Sequence, residues 1–174
     1  MDGLFDKRYV PGEGPENASV MLIGEAPGAE EAEQGRPFVG KAGKNLDEFL
    51  RLIDLKRGEI YITNVIKYRP YKVSEYGSVS NRTPSWEECL AHRGELTEEI
   101  KRIGPKIIVT LGNTPLRAVT GDPQASIGRM HGVLHGNGKY RLFPLYHPAS
   151  LIYNPSLREV YTGDVLNLKK ILGL

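Results

Sequence analysis

Cysteine is nearly missing: Cys89 is the only one in 174 residues. One thiol excludes an internal disulfide and any multi-cysteine metal site, and it reads as a small buried hydrophobe. No apolar run approaches the roughly 20 residues that span a bilayer. The opening stretch, MDGLFDKRYVPGEG, has acids and glycines where a secretory leader is greasy. The expectation is a cytoplasmic protein with no membrane partner. Charge of one sign is also scarce, with 23 Lys plus Arg against 21 Asp plus Glu and a net charge of +2. That balance neither supports nor excludes a nucleic-acid partner, so attraction must come from local clusters. Phosphate cradles are absent as well, with neither GxGxxG nor GxxxxGK[ST], and no GxSxG or paired-carboxylate pattern stands out. A generic nucleotide-binding domain predicts such a loop and does not fit.

What is present is one domain over residues 1–174, with 40% hydrophobic content and no repeat or low-complexity tract. Ser19 to Ile23 is an apolar run that meets Gly24, which predicts a buried strand entering a loop. A Gly-rich connection follows, and then Leu46, Phe49, Leu50 and Ile53 fall at helical spacing. Ile60 to Val65 is β-branched and aromatic, and a Pro- and Tyr-bearing loop runs on through Asn81. Thr83 as cap with Pro84 in the first turn predicts a helix to about Ile103. Lys106 to Leu111 is a third strand closed by Gly112, with a short helix near Thr114 to Val119. Asn137-Gly138 predicts a hairpin-like turn into the last strand. Asn154-Pro155 is expected to cap a closing helix whose apolar side is Leu157, Val160, Val165, Leu168 and Ile171. Alternating strands and helices of this kind predict a three-layer α/β/α fold with a mostly parallel central sheet.

Ligands of such sheets bind beyond the carboxyl ends of the strands, and three strand ends here carry polar residues: Gly24-Glu25, Thr63-Asn64 and Tyr146-His147-Pro148. Pro148 biases His147 toward extended backbone. His147 is then either a donor to a developing anion or a loop histidine satisfied by a carbonyl. Asn64 closes an apolar strand, so its amide is either held by backbone groups or faces a pocket. Glu25 precedes Ala26-Pro27-Gly28, a sequence able to turn sharply and bring backbone N–H groups to a ligand; the alternative is a solvated loop acid. Glu30, Glu31 and Glu33 read as surface charge and Phe38 as a core anchor. His131 and His135 are four apart, but Gly132 and Gly136 follow them and the segment reads as strand, so no metal is expected there.

The segments VPGEG, VMLIGEAPGAEEAEQGRPFVGKAG, ITNVIKYRP, NRTP with EEC, KIIVTLG and YHPASLIYNP, running from about Val10 to Pro155, together resemble the uracil-DNA glycosylase superfamily. The resemblance is strongest to its family-four, iron-sulfur members. It implies a pocket for a flipped-out base between the GEAPG and HP loops. By position, Glu25 matches the acid that places the attacking water, and His147 the histidine that stabilises the departing base. Phe38 matches the aromatic that stacks on uracil, and Asn64 the amide that reads its edge. Ala26 and Gly28 fall on the substrate loop, and Glu31 matches an acid that crowds C5. Ser150 and Leu151 fall where the superfamily meets DNA, with Leu151 as an apolar wedge. The implied activity is hydrolysis of the N-glycosidic bond of uracil in DNA by a monomer, without strand cleavage and without a cofactor. The sequence departs from the family at the cluster: the N-terminal CxxC is replaced within FDKRYVPG, the third position is Tyr68, and only Cys89 remains, too few for a cluster. The Tyr71 to Asn81 loop is longer and richer in tyrosine than usual, and Tyr153 stands where arginine is frequent. Two other readings stay open: excision of hypoxanthine or xanthine, and non-catalytic binding of single strands on the extra tyrosines.

Overall fold

The computed structural model describes residues 4–136 and 139–174. Its elements are β1 (Leu4–Phe5), β2 (Val20–Gly24), α1 (Ala29–Gln34), α2 (Gly40–Leu52), β3 (Tyr61–Asn64), β4 (Pro70–Val73), β5 (Val79–Asn81), α3 (Trp86–Ile103), β6 (Ile107–Leu111), α4 (Asn113–Thr120), α5 (Ile127–Met130), β7 (His135–Gly136), β8 (Arg141–Leu145), α6 (Ser150–Tyr153) and α7 (Leu157–Leu172).

The apolar runs became strands because both of their faces are covered. In β2, Met21 and Ile23 join one core with Cys89, Leu96 and Ile100 of α3 and Leu116 of α4. The alternate residues Val20 and Leu22 join a second core with Leu46, Phe49 and Leu50 of α2 and Val165 and Leu168 of α7. Period-two alternation therefore feeds two helical layers, which makes the expected three-layer α/β/α sandwich. The central sheet has the order β3-β2-β6-β8-β7. Its pairings β2·β3, β2·β6 and β6·β8 are parallel, and the short β7 runs antiparallel to β8. All of the parallel strands point their carboxyl ends at the same rim. At the free edge, Glu13 exchanges backbone hydrogen bonds with Ile62 at 2.8 and 2.9 Å, so the N-terminal segment covers β3.

Several boundaries differ from the sequence expectation. The cap of α3 is Ser85, not Thr83. Its hydroxyl accepts from the Glu88 N–H at 3.2 Å while the Glu88 carboxylate accepts from the Ser85 N–H at 2.8 Å. This reciprocal box satisfies two end groups, whereas Thr83-Pro84 would have satisfied one. Helix α7 starts at Leu157 after Ser156 rather than being capped by Asn154-Pro155. On its inner face Tyr161 is buried, and Val160 is 41% exposed. His131 closes α5 instead of lying in a strand. The predicted turn at Asn137-Gly138 lies outside the described residues, although the strands on either side of it pair His135 with Leu142 and Gly136 with Arg141. The largest difference is the Tyr71 to Asn81 segment. It is not a loop but the β4–β5 hairpin, which joins β1 in a second, antiparallel sheet. Tyr71 pairs with Asn81 at the base of the hairpin.

Candidate active site

Along the carboxyl rim the chain opens a cleft of about 910 Å³, whose wall includes Glu25, Phe38, Asn64, Thr114 and His147. Four strands deliver all of these but Phe38, which lies between α1 and α2. Glu25 follows β2, Asn64 ends β3, Thr114 enters α4 just after β6, and His147 follows β8.

The His147 Nδ1 accepts a hydrogen bond from the Ala149 N–H at 3.1 Å. That nitrogen is therefore unprotonated, and the neutral ring carries its proton on Nε2 as a donor. Burial also pushes the imidazole below its ordinary pKa, which favours the neutral form. The Glu25 carboxylate accepts from the Thr114 hydroxyl at 2.6 Å. Burial raises its pKa, and the Thr114 bond offsets part of that rise. Glu25 is thus not a solvated loop acid, and His147 is not spent on a carbonyl.

Gly24 explains how an aromatic and an amide come to share one wall. A Cβ built there would lie 2.5 Å from Asn64 Oδ1 and 2.5 Å from Phe38 Cζ, so only glycine leaves room for both. Phe38 is indeed part of the core, and it also faces the cleft. It holds a left-handed backbone, φ 53°, which costs about 1–3 kcal/mol for a non-glycine residue. The peptide after it is pinned at both polar atoms. Arg57 Nη1 donates to the Phe38 carbonyl at 2.7 Å, and the Val39 N–H donates to Glu31 Oε1 at 2.9 Å. The other Glu31 oxygen accepts from the Gly28 N–H at 3.1 Å.

Two expectations change here. Glu31 is 6% exposed, so it is a buried buckle for the loop and not surface charge. The Gly28 N–H, expected to face a ligand, is turned to Glu31 instead, while Ala26 and Gly28 still line the cleft. Ser150 lines the cleft beside His147, and its N–H donates to the His147 carbonyl at 2.8 Å. Leu151 is packed against the second core. The next two residues of α6, Ile152 and Tyr153, are 70% and 88% exposed and stand on the cleft rim.

Sequence reasoning missed Thr114, Arg57 and Asn81. Asn81 lines the cleft, and Arg69 donates to its Oδ1 at 2.7 Å, which leaves the amide nitrogen on the side facing Gly28. Each of the three acts across a long sequence separation, so no local pattern marks it.

Fold and cleft define a class: a three-layer α/β domain with its site beyond the carboxyl ends of a parallel sheet. The crystal structure of wild-type SMUG2 from Pedobacter heparinus has this fold, with a TM-score of 0.63 over 90% of this chain and 76% of that one, at 14% identity. A family model described as the uracil DNA glycosylase superfamily matches residues 11–167. The type-4 uracil-DNA glycosylase of Saccharolobus solfataricus is 39% identical, over 97% of this chain and 78% of that protein. The type-4 enzyme of Archaeoglobus fulgidus is 37% identical, over 95% and 82%. The chain belongs to the uracil DNA glycosylase superfamily.

The iron-sulfur cluster of the resembling members does not fit this chain. Tyr68 stands at one cluster position, with its ring 5.6 Å from that of Tyr9 and 6.0 Å from that of His92. Phe5 lies 6.0 Å from His92 on the other side, with the Arg82 guanidinium 5.1 Å over its ring. Rings occupy this region, and Cys89 is buried with a thiol pushed up to about 11 by burial and nearby carboxylates. One thiol supplies only one of the four ligands that such a cluster needs. Among the described residues no group of three or more His, Cys, Asp and Glu could hold a metal ion.

Proposed function

We propose that this chain excises uracil from DNA by hydrolysing the N-glycosidic bond, leaving an abasic site. The observation that carries the reading is the convergence of Glu25, Phe38, Asn64 and His147 on one cleft. The type-4 relatives, named uracil-DNA glycosylases, support it.

As the C1′–N1 bond breaks, its electron pair leaves with the base, negative charge gathers on uracil O2, and positive character stays on the sugar. The neutral His147 donates from Nε2 to O2 and so favours the transition state over the ground state. Glu25 stabilises the cationic carbon, orients water toward C1′ and takes the proton that the water gives up. Asn64 donates to uracil O4 and accepts from N3–H, a pair that cytosine does not match. Phe38 stacks on the extruded ring, and Glu31 holds the loop that presents it. The base must leave the helix for any of this to happen. Ser150 and α6 meet the duplex, and exposure favours Ile152 and Tyr153 over the core-packed Leu151 as the side chains entering the vacated space. The reading includes a cytoplasmic monomer. Among the described residues no helix is long and apolar enough to cross a membrane.

The test is incubation with oligonucleotides bearing uracil, hypoxanthine or xanthine, followed by alkaline cleavage of abasic sites. Uracil strands should break after alkali and stay intact without it. Breakage confined to a purine lesion would overturn the uracil assignment, and no breakage with any base would favour a non-catalytic binder.

A further inference from the structure

Beneath the cleft lies a charged group that the chemistry above does not use. Lys67 is 1% exposed, and its ammonium donates to Thr63 Oγ1 at 2.5 Å, to the Asn64 carbonyl at 2.7 Å and to Glu99 Oε2 at 2.5 Å. Three acceptors match the three hydrogens of the protonated amine. Burial pushes the Lys67 pKa down, and the Glu99 carboxylate partly restores it. Glu99 also accepts from Thr63 at 2.9 Å and from the Tyr61 hydroxyl at 2.9 Å, and Arg102 donates to that hydroxyl at 2.9 Å.

One of these bonds bears on the pocket. The peptide that joins Asn64 to Val65 leaves the end of β3. Its carbonyl is held by Lys67 and its N–H by the Gly24 carbonyl at 3.0 Å. Fixing both polar atoms of that peptide fixes ψ of Asn64, and with it the direction in which the side-chain amide leaves the backbone. The Asn64 amide and the Phe38 ring both crowd Gly24, where a single added carbon would clash with each.

We propose that Lys67 is a positioning residue for base recognition, aiming the Asn64 amide through its main-chain carbonyl, with Glu99 keeping the ammonium in place. The inference rests on the reading of Asn64 as the group that meets the base. A buried ion pair is weak evidence for stability, because desolvation offsets its attraction. A geometric task explains its place better.

The test removes both charges at once, Lys67→Met with Glu99→Leu, because removing one would strand the other in the core. If that pair fails to fold, Lys67→Gln with Glu99→Gln replaces it, neutral and too short to span the same gap. The first measurement is nitrogen-15 relaxation of the Asn64 side-chain amide in DNA-free protein. Its order parameter should fall in the paired variant while that of Asn167, on α7, stays put; an unchanged Asn64 amide overturns the proposal. The second is a cycle of single-turnover uracil excision. The paired substitution should slow the native protein roughly ten- to a hundredfold, the scale of a small misplacement at a reacting centre, and add little in an Asn64→Ala background. Equal slowing in both backgrounds overturns it too, since a merely structural role is additive. Absence of excision by the unaltered protein is failure of the uracil reading instead, and the amide measurement then decides the positioning role alone.

Discussion

In the proposed mechanism His147 stabilises the charge that the base carries away, so its loss isolates the chemical step. His147→Ala should slow single-turnover excision of uracil by roughly a hundredfold or more, as for one missing oxyanion donor, with DNA affinity largely kept. A rate within a few fold of native would remove His147 from that role. The pH profile follows from two opposed shifts. Glu25 must be ionised, and its pKa lies above the ordinary 4.5; His147 must be neutral, and its pKa lies below the ordinary 6.5. Both competent forms are lost as pH falls, so the rate should drop on the acid side, at a pH above the ordinary carboxylate value. Thr114→Val removes the bond that holds the Glu25 pKa down and should move a Glu25-controlled limb to higher pH. A limb that does not move would mean that Glu25 does not set it. Glu25, Asn64 and His147 were legible in the sequence because each sits where an apolar run stops. Glu31 was not, because two acids of one helix turn look alike until Val39 and Gly28 fold back onto only one of them.

The proposed contact with DNA rests on short elements. Helix α6 is only four residues, and its sequence does not say which side chain turns inward. The position of Leu151 after His147 suggested a wedge, yet Leu151 is packed on the core while Tyr153 is 88% exposed. Tyr153→Ala should therefore leave the melting temperature unchanged and weaken productive capture from duplex DNA by roughly 1–3 kcal/mol, the worth of a stacked aromatic. Single strands should lose less, because they need less unstacking. Leu151→Ala should instead destabilise the fold by roughly 1–3 kcal/mol, below the range for fully buried leucines because its burial is partial. Thermal melts and excision from paired and unpaired substrates separate the two. A stable Leu151→Ala protein with a duplex-specific defect would restore Leu151 as the wedge. The β4–β5 hairpin was equally hidden. Its strands are three and four residues of mixed character, and pairing with β1 across about 65 residues of chain, not alternation, makes them a sheet.

Over the whole molecule, the rings of Phe5, Tyr9 and His92 cluster with Tyr68, which stands at a position the resemblance gives to a cluster cysteine. The purified protein should be colourless, and its melting temperature should not change with a strong iron chelator. Stoichiometric iron with a visible absorption band would contradict this. The sequence by itself determined the three-layer plan, because strands buried on both faces must be apolar throughout and helices must carry one greasy stripe. It also marked residues that line the cleft, because polar residues at the ends of buried runs have few other uses, and it ruled out the cluster by counting thiols. Only the tertiary structure decided which acid is buried, which nitrogen of His147 carries the proton and which residue of α6 faces out. It alone revealed Lys67 under Asn64 and Arg57 behind Phe38. Those outcomes depend on contacts between residues far apart in the chain, and local spacing carries no record of them.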